Sequence, residues 1–429
     1  MFPRLSLSVI FLLALSAMPC AGQNAQHLTL ADAEKLAIQN HPQIQAATYL
    51  AAAAGARVRE ARSAYYPQAY GSLTGVDAEN NSRIAAGGLN NPIIFERYSN
   101  GITVGQLLTD FGRTHELVKS SSLHAQAQQE NVTVTRADVL LRVDQAYYSV
   151  LKSQAVLQVA EKTVKTRQLV ADQVGALAKN KLKSGLDVSF ANVNLSQAQL
   201  LLVQAQNDLQ ASFAELSATL GLSDQRTFTL AEEAVPTAPP SDITQLVQQA
   251  LQNRPEIISQ RLDVNSAQSY ATAARDLWFP TITAVGTAGL TPYGADQLAP
   301  RYAAAGFNVN IPLFNGHLYG ALRSEATAQA QAQQEYLRDI QNRVVRDVQR
   351  AWLNSNSAYQ RLSLTDQLLA QANQALDLAQ ERYKLGLSSI IELSQAQLNQ
   401  TQAEIEQTSA RYDYETQLSG LNYSLGALK

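Results

Sequence analysis

The chain has 429 residues, a formal net charge of −3 and only 7% aromatic residues, with Ala and Gln prominent. That charge balance gives no reason to expect a nucleic-acid partner, and the scattered histidines His27, His41, His115, His124 and His317 make no catalytic or metal-binding motif. Beyond the first 21 residues no run of about 18 apolar residues occurs, so any membrane crossing must use strands.

Residues 1–21 read as a secretory signal peptide: Arg4 is a basic start, an apolar run follows, and Ala21 and Gly22 offer small residues for cleavage. A lipoprotein signal acylated at Cys20 competes with this reading, although Met18 and Pro19 make a poor approach to such a cysteine. Cleavage after Ala21 leaves neither cysteine nor methionine, which excludes disulfides and soft sulfur sites for copper or zinc.

The segment 22–222 is predicted to run helix, two strands, very long helix, helix. The opening helix spans 30–63 and is interrupted near Pro42. Strands follow at about 67–76 and 101–109, the second marked by Ile102, Val104 and Leu108 in alternation, with a long loop at 77–96 between them. Residues 113–177 lack proline and carry a stripe of Val139, Leu140, Val143, Ala146, Tyr147 and Val150, as one long helix would. A Pro-rich, acidic linker over 223–242 should wrap outside the helices.

The segment 243–429 then repeats the plan. Ala37-Ile38-Gln39-Asn40-His41-Pro42-Gln43-Ile44 returns as Ala250-Leu251-Gln252-Asn253-Arg254-Pro255-Glu256-Ile257, a shift of about 213. After the strand loop the shift becomes about 205, pairing Gly101 with Gly306 and Ala125-Gln126-Ala127 with Ala330-Gln331-Ala332. Matching Pro and Gly positions exceed what shared Ala/Gln composition explains. Strands are expected at about 280–290 and 304–313, with Ile282, Ala284, Gly286, Ala288 and Leu290 on one face, and a second long helix at 317–383.

Four strands cannot close a barrel alone, yet lipid tolerates no open edge. Three chains would supply about twelve strands, and the helical rods could then hang into the periplasm and pack as a tube wall. Tyr65, Tyr66, Trp278 and Phe279 lie at equivalent helix-to-strand junctions, either as an interfacial aromatic girdle or as plugs for the joint. No Gly-x-Ser-x-Gly, phosphate loop or His-Glu-x-x-His supports an enzyme, and nothing calls for a cofactor. A secreted or periplasmic coiled-coil scaffold or adhesin is the rival, but it has no use for duplicated strand pairs.

The chain resembles the TolC family of outer-membrane efflux proteins. The residues that carry the likeness are 61–67 and 274–280, the strand ends Asp110-Phe111-Gly112 and Pro312-Leu313-Phe314-Asn315-Gly316, and the helix starts Gly185-Leu186-Asp187-Val188 and Gly386-Leu387-Ser388-Ser389-Ile390-Ile391-Glu392-Leu393. The resemblance implies a mixed α+β membrane protein. Each chain gives a long helical, coiled-coil periplasmic tunnel and four strands to a twelve-strand transmembrane β-barrel in a homotrimer. It implies location in the outer membrane, docking to a periplasmic adaptor and an inner-membrane transporter of the RND, ABC or MFS type, and service in efflux or type I secretion.

It also implies where the working residues lie. The turns after the long helices close the inner tunnel end and meet the adaptor, with Gly185, Leu186, Gly386 and Leu387 at the tips. A glycine there also serves as a helix stop needing positive φ. Glu392 matches the first acid of a pore-constricting ring, Gln395 stands where a second acid is often found, and Asp187 is the first-copy equivalent of Glu392. A ring of carboxylates would make the aperture pH-sensitive, though Glu392 is also placed to favour a helix dipole. Tyr383 matches a tyrosine that latches the closed state, but its usual arginine partner is Ser388 here.

Overall fold

The computed structural model describes residues 26–79, 82–83, 93–224, 226–232 and 237–428, so the signal peptide with Cys20 and parts of the 77–96 loop and the linker lie outside the described residues. The chain opens with β1 (Gln26–Leu28), α1 (Leu30–Asn40) and α2 (Pro42–Arg62). His41 is both the end of α1 and the N-cap of α2, and its Nδ1 accepts the Gln43 N–H at 3.2 Å. Burial and the Arg142 guanidinium hold the His41 pKa below its ordinary value, which keeps that nitrogen free to accept. Proline breaks the helix because it begins α2 at the position where a missing N–H costs nothing.

The strands β2 (Gln68–Val76) and β3 (Arg97–Thr109) lead into α3 (Arg113–Lys179), a single helix of 67 residues. At 1.5 Å per residue it is about 100 Å long. It turns back into α4 (Gly185–Thr219), and β4 (Phe228–Leu230) follows. The second copy gives α5 (Ile243–Asn253), α6 (Pro255–Arg275), β5 (Thr281–Gly294), β6 (Arg301–Asn310), α7 (Leu318–Lys384) and α8 (Ile390–Ser424). β3 starts four residues before the predicted 101, and β6 begins and ends three residues before the predicted 304–313.

The four long strands form one antiparallel sheet in the order β2-β3-β5-β6, so the two copies meet at β3 and β5. Register places Ile282 beside Val309, Ala284 beside Phe307 and Gly286 beside Ala305, which gathers one apolar face. The Thr103 and Thr287 hydroxyls lie 3.2 Å apart among residues of the other face. Gly101 and Gly289 are paired across the copies because Tyr302 occupies the space above them: a Cβ on Gly101 would come within 2.1 Å of its hydroxyl oxygen. No described strand pairs with the outer edge of β2 or of β6.

The core is written twice as well. Ala37, Ile44, Val139, Val143, Leu216 and Leu220 pack together in the first copy, and Ala250, Ile257, Val344, Val348, Leu421 and Leu425 do so at equivalent positions of the second. Gly221 (φ 73°) and Gly426 (φ 71°) end the last helix of each copy in the left-handed region and press against Asn40–His41 and Asn253–Arg254, where a side chain would not fit.

The linker does more than wrap. Its β4 pairs in parallel with β1, about 200 residues earlier, and the buried Tyr147 hydroxyl is shared between Leu28 O (3.0 Å) and Ala231 O (2.7 Å). Farther along, the Trp352 indole donates to Pro240 O at 2.7 Å and the Tyr414 hydroxyl to Thr237 O at 2.6 Å. One strap therefore binds helices of both copies.

Candidate functional site at the helical tips

The far ends of the long helices are two tight turns. After α3, Lys181 takes φ 58° and its N–H reaches Ala178 O at 2.9 Å, while Leu182 N–H reaches Leu177 O at 2.9 Å. After α7, Gly386 takes φ 72°, with Gly386 N–H to Tyr383 O at 3.2 Å and Leu387 N–H to Arg382 O at 2.8 Å. Both are Schellman stops. Lys181 therefore fills the place of Gly386, and the expectation that Gly185 is the first-copy helix stop is corrected. Gly185 is the first residue of α4, follows the cap Ser184, and meets no atom that glycine alone would tolerate.

The next residues cap the returning helices alike. Ser184 Oγ accepts the Asp187 N–H at 3.2 Å, and Asp187 Oδ2 accepts the Ser184 N–H at 2.9 Å, a complete capping box. The Ser184 hydroxyl, which donates to Asp187 Oδ2 at 2.7 Å, and after it the Ser184 N–H hold the Asp187 pKa below the ordinary carboxylate value. Ser389 Oγ likewise accepts the Glu392 N–H at 3.3 Å, but the Glu392 carboxylate leaves the box and pairs with Arg382 Nε at 3.1 Å. Equivalent acids thus hold different partners. Gln395 is exposed and donates to Asn399 Oδ1 at 2.9 Å.

Tyr383 joins the tips. Its ring is buried against Ala171, Val174, Ala191, Ile390 and Leu393. The Lys183 ammonium from the first turn lies 3.7 Å from the ring centroid and 3.5 Å from Tyr383 O. The Tyr383 hydroxyl is buried without a well-formed hydrogen bond, and burial followed by the nearby Asp187 carboxylate pushes its pKa up to about 12. Ser388, at the expected arginine position, has its Oγ buried without a partner. The cation that lies against Tyr383 is Lys183, which sequence reasoning missed because its partner is 200 residues away.

Leu186 and Leu387 are exposed, as are Leu182 and Leu385, so each tip presents two leucines to its surroundings. At the opposite end, Tyr65, Tyr66, Trp278 and Phe279 are all substantially exposed where the helices enter the sheet. Trp278 also meets Tyr319 edge-on at 5.7 Å and Phe279 lies 6.1 Å from Phe111 of the strand end. Among the described residues no group of three or more His, Cys, Asp or Glu is placed to hold a metal ion, and no helix is long and apolar enough to cross a membrane.

A four-stranded segment with an apolar face, carried on helical rods that end in capped hairpin tips, defines a subunit of an outer-membrane channel with a periplasmic helical part. The outer membrane efflux protein family matches residues 34–222 and 246–427, and the chain belongs to that family. It is 26% identical over 413 residues to outer membrane efflux protein BepC of Brucella suis, covering 93% of this chain and 85% of that one. Outer membrane protein TolC of Salmonella enteritidis is 24% identical over 421 residues, covering 93% and 83%. A membrane protein from Pseudomonas aeruginosa has the same fold, with a TM-score of 0.80 at 20% identity over 92% of this chain and 93% of that chain. The protein is an outer-membrane efflux channel.

Proposed function

We propose that three copies close the sheet into a twelve-strand barrel and that the assembly is a passive duct, without catalysis, for cargo driven by an inner-membrane transporter of the RND, ABC or MFS class through a periplasmic adaptor. The observation that carries this reading is that no described strand pairs with the outer edge of β2 or of β6 in a sheet too small to close by itself. The exposed apolar side chains of β6, among them Phe307 and Val309, favour lipid outside such a barrel.

In this reading the tips form the aperture. Glu392 lines the constriction from three chains, its charge moderated by Arg382, and Gln395 contributes no second acid. Asp187 and Lys183 hold Tyr383 as the latch between the two hairpins, and Leu182, Leu186, Leu385 and Leu387, with Gly185 and Gly386, meet the adaptor. Conductance of the purified protein in a planar bilayer tests this. Small cation-selective steps, with selectivity reduced by Glu392→Ala, are the expected result. A monomeric protein that stays soluble without detergent and never inserts would overturn it.

A further inference from the structure

A partly open cavity of about 480 Å³ lies between α3, α4 and α8. Its walls include the apolar Leu201, Leu398 and Ile405 and the polar Thr163, Asn194 and Arg167. Arg167 is only 6% exposed. Its Nη2 donates to Gln397 O at 2.7 Å and to Thr401 Oγ1 at 3.0 Å, which uses both hydrogens of that nitrogen. Nε and Nη1 find no protein acceptor among the described residues, yet they are not sealed from solvent, so their N–H bonds open toward the cavity that Arg167 lines.

A buried guanidinium normally has a carboxylate beside it, because an unpaired charge out of water is costly. Among the described residues none is paired with it. Burial alone lowers the Arg167 pKa, to about 10, with no acid opposing the shift. Glu406 stands elsewhere in the cavity wall, where it accepts the Gln402 amide at 3.0 Å. The amide nitrogen of Gln397, the residue whose carbonyl holds Arg167, is itself buried without an acceptor. The neighbourhood has more donors than acceptors. Nor does the architecture require a guanidinium at this point: the equivalent position of the second copy is the buried Ala372.

We propose that this cavity is a binding site for an aliphatic carboxylate, its oxygens accepting from Arg167 and its chain lying against Leu201, Leu398 and Ile405. The carboxylate either belongs to a free small molecule or is an acidic side chain flanked by apolar ones on a partner helix; the chemistry at Arg167 is the same. This inference does not depend on how the tips open or on whether the sheet closes as a trimer.

The test is calorimetric titration of the full-length processed protein, held in amphipol, with hexanoate and with 1-hexanol, and separately with a helical peptide bearing one Glu among leucines. Hexanoate is expected to bind saturably and at least about tenfold more tightly than 1-hexanol, since only the acid meets Arg167. Arg167→Met, which keeps the side-chain volume, should remove that preference, and the exposed change Leu398→Ser should weaken hexanoate several-fold while leaving the preference in place. Binding of the peptide alone, lost in Arg167→Met, assigns the carboxylate to a partner helix. Equal binding of hexanoate and 1-hexanol by the unaltered protein, or binding of neither hexanoate nor peptide, overturns the proposal without reliance on any variant.

Discussion

The two hairpin tips follow one plan and are finished differently. Both end a 67-residue helix with a left-handed residue and start the next helix from a serine cap. The first tip puts Lys181 in the left-handed position, closes its capping box with Asp187 and sends Lys183 across to its neighbour. The second uses Gly386, opens its box so that Glu392 reaches Arg382, and buries Tyr383 to receive Lys183. Duplication supplied the geometry, and divergence made one tip the donor of a contact and the other its acceptor.

Breaking the contact from the accepting side should have the largest effect. Tyr383→Ala removes a ring buried with Ala171, Val174, Ala191, Ala379, Ile390 and Leu393 and should cost about 3 kcal/mol locally. Amide exchange is expected to speed up in both turns, and an effect confined to the second turn would show that the tips are not coupled. Lys183→Met removes the cation over the ring together with its long contact to Tyr383 O and should cost about 0.5–1 kcal/mol in the same measurement.

The stops offer a finer contrast. Lys181→Gly relieves a left-handed lysine and should stabilise the first turn by about 1 kcal/mol, whereas Gly386→Ala should destabilise the second by a similar amount. Equal responses of the two turns to these changes would refute the assignment of Lys181 as the stop.

The smallest effect is on pH. The Asp187 pKa is lowered on folding, so its contribution is complete above the ordinary carboxylate value and is lost as pH falls through the lowered one. Because Asp187 is largely solvated the loss should be modest, seen as faster exchange at the start of α4 on acidification. Unchanged exchange there down to full protonation would remove the capping box as a source of stability.

Much of this was legible in advance. The rods follow from long proline-free stretches with an apolar stripe, and Val139, Val143, Tyr147 and Val150 of that stripe are fully buried. The sheet follows from period-two alternation around Ile282–Leu290 and from glycines at matching places. The tips were located to within a few residues, but Gly185 drew attention away from Lys181, because glycine is the usual signal for a left-handed stop and lysine carries none. β1 and β4 were missed since three-residue strands have too few positions to show a period, and each is defined only by the other.

The sequence by itself determined the elements whose cause is local: where proline and serine start helices, where apolar residues recur at helix or strand spacing, and that the whole plan occurs twice. Only the tertiary structure decided which side chains of the two copies meet. Lys183 finds Tyr383, Arg167 finds Gln397 without a carboxylate, and Glu392 turns to Arg382 while Asp187 does not. These choices depend on how 100 Å rods lie against each other, and local periodicity fixes the face a helix buries but not the partner or the depth at which it packs.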